Sequence, residues 1–382
     1  MSTLNYEQVR KEYLDVMNEH IEFTTDSTKC TPDLVLDMLG LAAANKTSIH
    51  SACDVTEDTP TGAAVLYQLH AGWLDDRSLA EVEEQLNDLL ASRLPPRIRG
   101  REHRVAIDLV FIPYHGEPQA DPDEVRRSAA KSGTTHFHVY ASAYIIYKHK
   151  RVTVAVTYYQ ANETMLALLQ RLLGRLNALD ISLKQLLLDR QFCSVKIFSY
   201  LAQQPWQSVT PVPARSRELK TLRHTARRSQ QRLYTLSSAQ DGDITFDLHV
   251  VCRYAMGRRG KHGIDVLYFA VLGRPWTGSP RALANLYGRR FGIESSYRLT
   301  NSLRIRTTSR DPKLRLLFVM LAFTLVNLWV FLSWTLLAVP RQGGRYLLPR
   351  LFQLEKFRCF LREAIHRIRP PVLSVSRPVG VF

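Results

Sequence analysis

The spacing of apolar positions changes near residue 104, and that change divides the chain. Before it, Leu79, Val82, Leu86 and Leu89 recur at helical spacing with acidic residues on the opposite side. Residues 1–95 as a whole read as helical. Segments 47–53 and 61–69, separated by an acidic turn, fit two readings: a helix-turn-helix, or members of a small bundle used for end recognition or dimer contacts. Pro95 and Pro96 mark a linker. Beyond it, apolar residues come in short β-rich runs. Residues 105–112 form one, interrupted only by Asp108. Residues 135–147 and 152–159 follow as strands joined by the turn Lys148-His149-Lys150-Arg151. Residues 164–179 return to a helical period, with Leu166, Leu169, Leu172, Leu173 and Leu176 on one side. Residues 186–188 make a short buried strand ending in Asp189, and a helix starts near Ser194.

Three strands, a helix, a strand and a helix is the element order of an RNase H-like core, an α/β arrangement with helices packed on a mixed sheet. The chain therefore divides into a helical N-terminal domain (1–95), a first part of the core (104–204), a β-rich insertion (205–279), a second part of the core (280–340) and a basic helical tail (341–382). Within the insertion, 208–212, 233–236, 245–253 and 264–272 are the predicted strands. A long helix starting near Pro280 carries Glu294. Residues 316–339 contain no charged side chain and are long enough to cross a bilayer. A membrane span and a helix buried in a large core both fit that pattern. The expectation adopted is a core helix packed beneath the sheet and the Glu294 helix.

Composition adds one strong constraint. Hydrophobic residues make up 45% and charged residues 23%, as in a folded chain, but the net charge is +16. Residues 1–100 hold 8 Lys and Arg against 17 Asp and Glu, whereas the rest hold 43 against 18. The later part thus calls for a polyanion, with nucleic acid ahead of an anionic membrane. Its densest stretch is Arg215, Arg217, Lys220, Arg223, Arg227, Arg228 and Arg232, opposed only by Glu218. Arg223, Arg227 and Arg228 are the candidate DNA-binding residues there; a solvated face is the alternative. The turn Arg258-Arg259-Gly260-Lys261 is a second basic segment. Five scattered cysteines without a CxxC pair read as reduced thiols, not as a disulfide framework or zinc site. An acidic N-terminus without an apolar core argues against a secretory signal.

Asp108 lies inside an apolar strand and Asp189 ends another. A charge in either place costs several kcal/mol, of order 2–7 even for a neutral polar group, unless it is paired or coordinated. For each aspartate alone, a salt bridge to an arginine or a turn cap explains it. Together they mean more, because the first and fourth strands of such a core are neighbours and would bring both carboxylates to one place. Two close carboxylates repel and require a cation. Hard oxygen donors suit Mg²⁺ or Mn²⁺, and a third carboxylate would complete a two-metal site for in-line phosphoryl transfer. Glu294 is that candidate. On a continuous helix at about 100° per residue, Tyr287, Arg290, Glu294 and Arg298 fall within about 80° of one another. One face then joins a metal ligand to phosphate-binding groups, with Tyr287, Arg290 and Arg298 as candidate DNA contacts. A solvated face with ion pairs one turn apart is the bland alternative. His115, His136 and His138 read as structural.

The spacing of Tyr287, Arg290 and Glu294 resembles the YREK signature of bacterial and archaeal insertion-sequence transposases, the "insertion sequence four" group and its relatives. The lysine position of that signature falls on Asn301, with Arg298 and Arg304 nearby. The resemblance extends over roughly 104–340 and includes Ala106-Ile107-Asp108, the segment from Gly133 to His138, and Leu188-Asp189-Arg190. It implies a DDE transposase with catalytic and metal-binding Asp108, Asp189 and Glu294, two Mg²⁺ or Mn²⁺ ions, terminal inverted repeats and target DNA as substrate, and a homodimer in a synaptic complex. It also implies a cytoplasmic, nucleoid-associated protein with no membrane partner and no nucleotide cofactor. An RNase H-like nuclease without strand transfer and a domesticated DNA-binding protein remain as alternatives.

Overall fold

The computed structural model describes residues 3–118, 125–147, 150–254, 264–342 and 344–374; of residues 96, 146, 147, 150, 151 and 291–295 it describes the backbone alone. The chain divides into two compact units, Pro96–Ser296 and a second made of Met1–Pro95 with Tyr297–Phe382.

The helical unit begins with α1 (Tyr6–His20), α2 (Pro32–Asn45), α3 (Ile49–Asp54), α4 (Gly62–Leu69) and α5 (Leu79–Ala91). Their starts are written in the sequence. Asn5 and Ser78 form capping boxes with Gln8 and Glu81, and Thr31, Ser48 and Thr61 cap the other three, satisfying amides that the first turn leaves unpaired. Both helices expected over 47–69 form, although α3 has only six residues.

In the α/β unit, β1 (Arg101–Tyr114), β2 (Arg126–Lys131), β3 (Thr134–Tyr147) and β4 (Lys150–Tyr158) precede α6 (Met165–Ala178), β5 (Ile181–Leu188) and α7 (Val195–Ala202). Then come β6 (Gln207–Pro211), α8 (Arg217–Thr225), β7 (Gln230–Ser238), β8 (Gly242–Tyr254) and β9 (Ile264–Gly273). Among the described residues, one nine-stranded sheet takes the order β2-β3-β1-β5-β6-β9-β8-β7, with β4 also on β3. The pairs β1·β5 and β5·β6 are parallel; the others are antiparallel. This is the expected mixed sheet. The four strands predicted for 205–279 all form, and they extend the same sheet through β6. The turn residues Lys148 and His149 and the basic turn 258–261 lie outside the described residues.

One expectation is corrected, and two elements are new. Strand β2 and helix α8 were not anticipated. The long helix from Pro280 is also not one helix: α9 (Pro280–Gly288) gives way to a 3-10 turn at Arg289–Phe291 before α10 (Gly292–Leu303) begins. Glycines at 288 and 292 bracket the break, and glycine is a poor helix former.

After α10 come α11 (Pro312–Leu336), the hairpin β10 (Val339–Arg341) and β11 (Gly344–Tyr346), and α12 (Leu354–Ile368), all in the helical unit. Every residue of α11 from Leu314 to Val330 is buried. Its most apolar window is 94% buried within the protein. It packs on α5, and Asn327 satisfies its amide by donating to the carbonyl of Leu90 at 3.2 Å. Phe323 also meets Tyr297 of α10, the Glu294 helix, edge-on at 6.4 Å between ring centroids, as expected of a helix packed against it. Helix α12 packs on α1 and α2. There Asp37, fully buried, accepts from Arg10 at 2.9 Å through both oxygens and from Arg369 at 2.9 Å. Such a pair is costly to break from one side, because the remaining buried charge loses its partner.

If α11 is enclosed on all sides, shortening a buried side chain leaves a cavity. Leu321→Ala should cost about 2–5 kcal/mol, read as a lower urea midpoint of the purified chain. A loss below about 1 kcal/mol would show that Leu321 is not closely packed.

Candidate active site

Strand register brings the two aspartates together. Strands β1 and β5 pair in parallel with Ala106 opposite Leu187 and Ile107 opposite Leu188. The next residue on each strand is an aspartate. Asp108 therefore stands beside Asp189 at the carboxyl end of β5, where open α/β sheets bind ligands. Alternation along the strands puts Ala106 and Asp108 on one face, while Val105 and Ile107 enter the core on the other.

Between them lies Arg290. Its two terminal nitrogens donate to Asp108 Oδ2 and to Asp189 Oδ1, each at 3.0 Å. The arginine side chain is only 8% exposed, and the carboxylates are 17% and 21% exposed. Asp108 Oδ1 also accepts from the backbone amide of Leu109 at 2.9 Å. The 3-10 turn holding Arg290 is pinned at two further points. The Tyr144 hydroxyl on β3 donates to the Arg290 carbonyl at 2.8 Å, and the Tyr287 hydroxyl donates to the Leu188 carbonyl at 3.1 Å. Burial raises the Tyr287 hydroxyl well above its ordinary pKa, so it stays protonated and donates.

Burial also pushes the Asp108 carboxyl up to about 6; Arg290 opposes the shift, and the neighbouring Asp189 charge adds to it. The physical content is simple. Two carboxylates share one resident positive charge in a partly dry site, and the balance remains negative. That charge deficit, with oxygen donors only, fits a hard divalent cation. Among the described residues no group of three His, Cys, Asp or Glu side chains gathers at one point. Glu294 lies on α10, four residues after Arg290, and its side chain lies outside the described residues.

Both aspartates line a cleft of about 670 Å³ whose walls carry Lys131, Arg190, Arg223 and Arg253 as well as Asp265. A floor of acid under a basic rim can accept a polyanion while directing metal-binding groups at it. Arg223, on α8, is thus at the site. Arg227 and Arg228 are exposed just after α8, outside the cleft lining. Arg298 is exposed on α10 in the helical unit.

Two expected DNA contacts, Tyr287 and Arg290, are both buried. Tyr287 is 4% exposed with its hydroxyl engaged, so its ring has no face to offer a base. Arg290 donates to the two carboxylates. Tyr287 is on the buried side of α9, and Arg290 sits in the 3-10 turn that follows it rather than on one continuous helical face. Lys131 and Arg253 were missed. Lys131 sits on a strand with no apolar alternation, and nothing local marks Arg253 among the basic residues. His138, read as structural, is buried edge-on against Tyr114 at 5.4 Å between ring centroids. All five cysteines are free thiols.

A family model of the transposase DDE domain matches residues 99–328, more than half of the chain. The chain belongs to the DDE transposase family. Among solved structures, it is similar to a piggyBac transposase in a synaptic complex with hairpin DNA, determined by cryo-electron microscopy. The TM-score is 0.58 over 96% of this chain and 79% of that one, at 12% identity, a likeness of fold. Among curated proteins, none matches it. Asp108, Asp189 and Arg290 all lie within the matched residues.

Because Asp108 holds its proton more tightly folded than unfolded, its contribution to stability is full below about pH 4 and is lost as pH rises through about 6. Asp108→Asn has no such loss. In chelator, the stability of the variant relative to the unsubstituted chain should therefore rise between pH 4.5 and 7.5, by up to about 3 kcal/mol. Urea unfolding at both pH values measures it; parallel behaviour of the two chains would contradict the assignment.

Proposed function

We propose that this transposase cuts DNA at the ends of an insertion sequence and joins them to target DNA by two-metal phosphoryl transfer. We place it near the insertion-sequence group with the YREK-like signature. One observation carries the reading: Asp108 and Asp189 stand side by side on parallel strands, share one buried guanidinium, and line a cleft with a basic rim. Asp108 and Asp189 would hold one Mg²⁺ or Mn²⁺ ion, and Asp108 with Glu294 a second. When bound, such ions lower the pKa of an attacking water or hydroxyl and stabilise the leaving oxygen.

The chain's own residues supply the rest. The Leu109 amide and Arg290 fix the orientation of Asp108, so the carboxylate is aimed before any ligand arrives. Tyr287 and Tyr144 hold the turn from which α10 starts, and so set where Glu294 enters. Lys131, Arg190, Arg223 and Arg253 meet the DNA backbone along the cleft, and Arg227 and Arg228 extend that contact; Arg298, in the helical unit, is a separate DNA contact. The substrate is double-stranded DNA bearing terminal inverted repeats, held by a homodimer in a synaptic complex. The site of action is the nucleoid in a prokaryotic cytoplasm. Residues 1–95 serve end recognition or dimer contacts.

Neutralising any one of the three acids should abolish Mg²⁺-dependent cleavage of a duplex containing the element's end. DNA binding should survive, because each substitution removes negative charge from the cleft. The variants are Asp108→Asn, Asp189→Asn and Glu294→Gln. A variant that cuts at near the unsubstituted rate removes its residue from the set.

Replacing Arg223, Arg227 and Arg228 together with alanine should lower affinity for all duplex sequences. Each lost phosphate contact should flatten the log affinity against log salt line by about 0.9. A line superimposable on that of the unsubstituted protein would mean that these arginines face solvent.

A further inference from the structure

The catalytic cleft is not the only basic hollow in the α/β unit. A second cavity, of about 330 Å³, lies toward the start of β1 and β5 and is also bounded by Arg290. Three of its lining residues come from three different elements: Arg104 from β1, Lys184 from β5 and Arg289 from the turn after α9. None of the three has an ion-pair partner among the described residues. Glu102 is the single acidic side chain in the lining. His103, also in the lining, is engaged with the Ile98 carbonyl at 2.9 Å.

The backbone is shaped for this convergence. The register of β1 against β5 passes from His103 opposite Leu183 to Arg104 opposite Gln185, so Lys184 is an extra residue in a β-bulge. Bulges are rare in parallel pairs and redirect a side chain. Here the bulge brings Lys184 into the cavity beside Ala106 and Leu187, and it also restores the phase that sets Asp108 beside Asp189. Arg104 is aimed as well. Its Nε donates to Gln185 Oε1 at 2.6 Å, and Gln185 in turn donates to Gln207 at 2.6 Å. That anchoring orders the guanidinium and leaves its terminal nitrogens without a carboxylate.

Like charges gathered in a hollow repel one another unless an anion joins them. Two guanidinium groups and one ammonium group around a small space suit a tetrahedral phosphate group. We propose that Arg104, Lys184 and Arg289 form a pocket for one backbone phosphate of the DNA that the cleft receives. The inference rests on the DNA reading above. Four residues of strand separate Arg104 from Asp108, about 13 Å, which is roughly four base-pair rises from the scissile position.

The test is a coupling cycle between protein and DNA. A duplex covering the element's end, taken from the DNA flanking the gene, carries one neutral methylphosphonate at successive positions on each strand. Binding is measured for the unsubstituted protein, for the triple variant Arg104→Gln/Lys184→Gln/Arg289→Gln, and for Lys184→Gln alone as a milder change. At one position within a few base pairs of the cleavage site, the neutral linkage should weaken the unsubstituted protein about tenfold, the effect expected for one charged hydrogen-bonded contact. The same linkage should leave the triple variant unaffected and Lys184→Gln only partly affected. If no position distinguishes the proteins, the pocket does not hold DNA phosphate, even if inorganic phosphate raises the thermal midpoint of the unsubstituted protein alone. Binding with normal affinity but without coupling would sink this inference and leave the transposase reading intact. Coupling without any metal-dependent cleavage would do the reverse, and failure to bind the duplex at all would remove both.

Discussion

The candidate site is organised around one buried guanidinium answering two carboxylates. Arg290 touches Asp108 and Asp189 at 3.0 Å each, and its backbone is tied to β3 by Tyr144. A buried ion pair is weak evidence of stability, because desolvation can cancel the attraction. Its value here is geometric. It fixes two carboxylates that would otherwise repel, and it leaves the trio with a net negative charge. That residue of negative charge, together with oxygen donors already aimed, is what the proposed divalent cation would need.

Everything else in the α/β unit can be read as support for that trio. Parallel pairing of β1 with β5 sets the aspartates side by side, and the Lys184 bulge sets the phase of that pairing. Tyr287, bonded to the Leu188 carbonyl, holds α9 over the ends of the strands. The break between α9 and α10 lets Arg290 face inward while the chain continues toward Glu294. The spacing of tyrosine, arginine and glutamate thus has a structural rationale. Two of its members pin the turn that delivers the third.

Much of this could be read in the sequence, for identifiable reasons. Strands β1 and β3 to β9 announce themselves through β-branched and aromatic runs bounded by turns. Strand β2 does not, because Arg126–Lys131 is an edge strand with hardly a buried side chain and no alternation. Helix α8 was hidden inside a run notable only for charge. The aspartates were legible because a carboxylate inside an apolar strand demands an explanation. The role of Arg290 was not, since helical periodicity assumed a helix that stops at Gly288. Nor could the sequence show that the two ends of the chain share one unit. Asp37 and Arg369 meet across 332 residues, and no local pattern encodes such a contact. The burial of α11 was predictable from its composition, but composition says nothing about which helix covers it.

The central claim is that Asp108 and Asp189 form a divalent-metal site in which Arg290 stands as the resident cation. A crystal structure of the protein soaked in Mn²⁺, with anomalous scattering recorded at the manganese edge, tests this directly. The account predicts a peak within about 2.0–2.3 Å of oxygens from both aspartates, with the Arg290 side chain withdrawn from at least one of them. Absence of a peak there at millimolar Mn²⁺, with both Arg290 contacts unchanged, would contradict it.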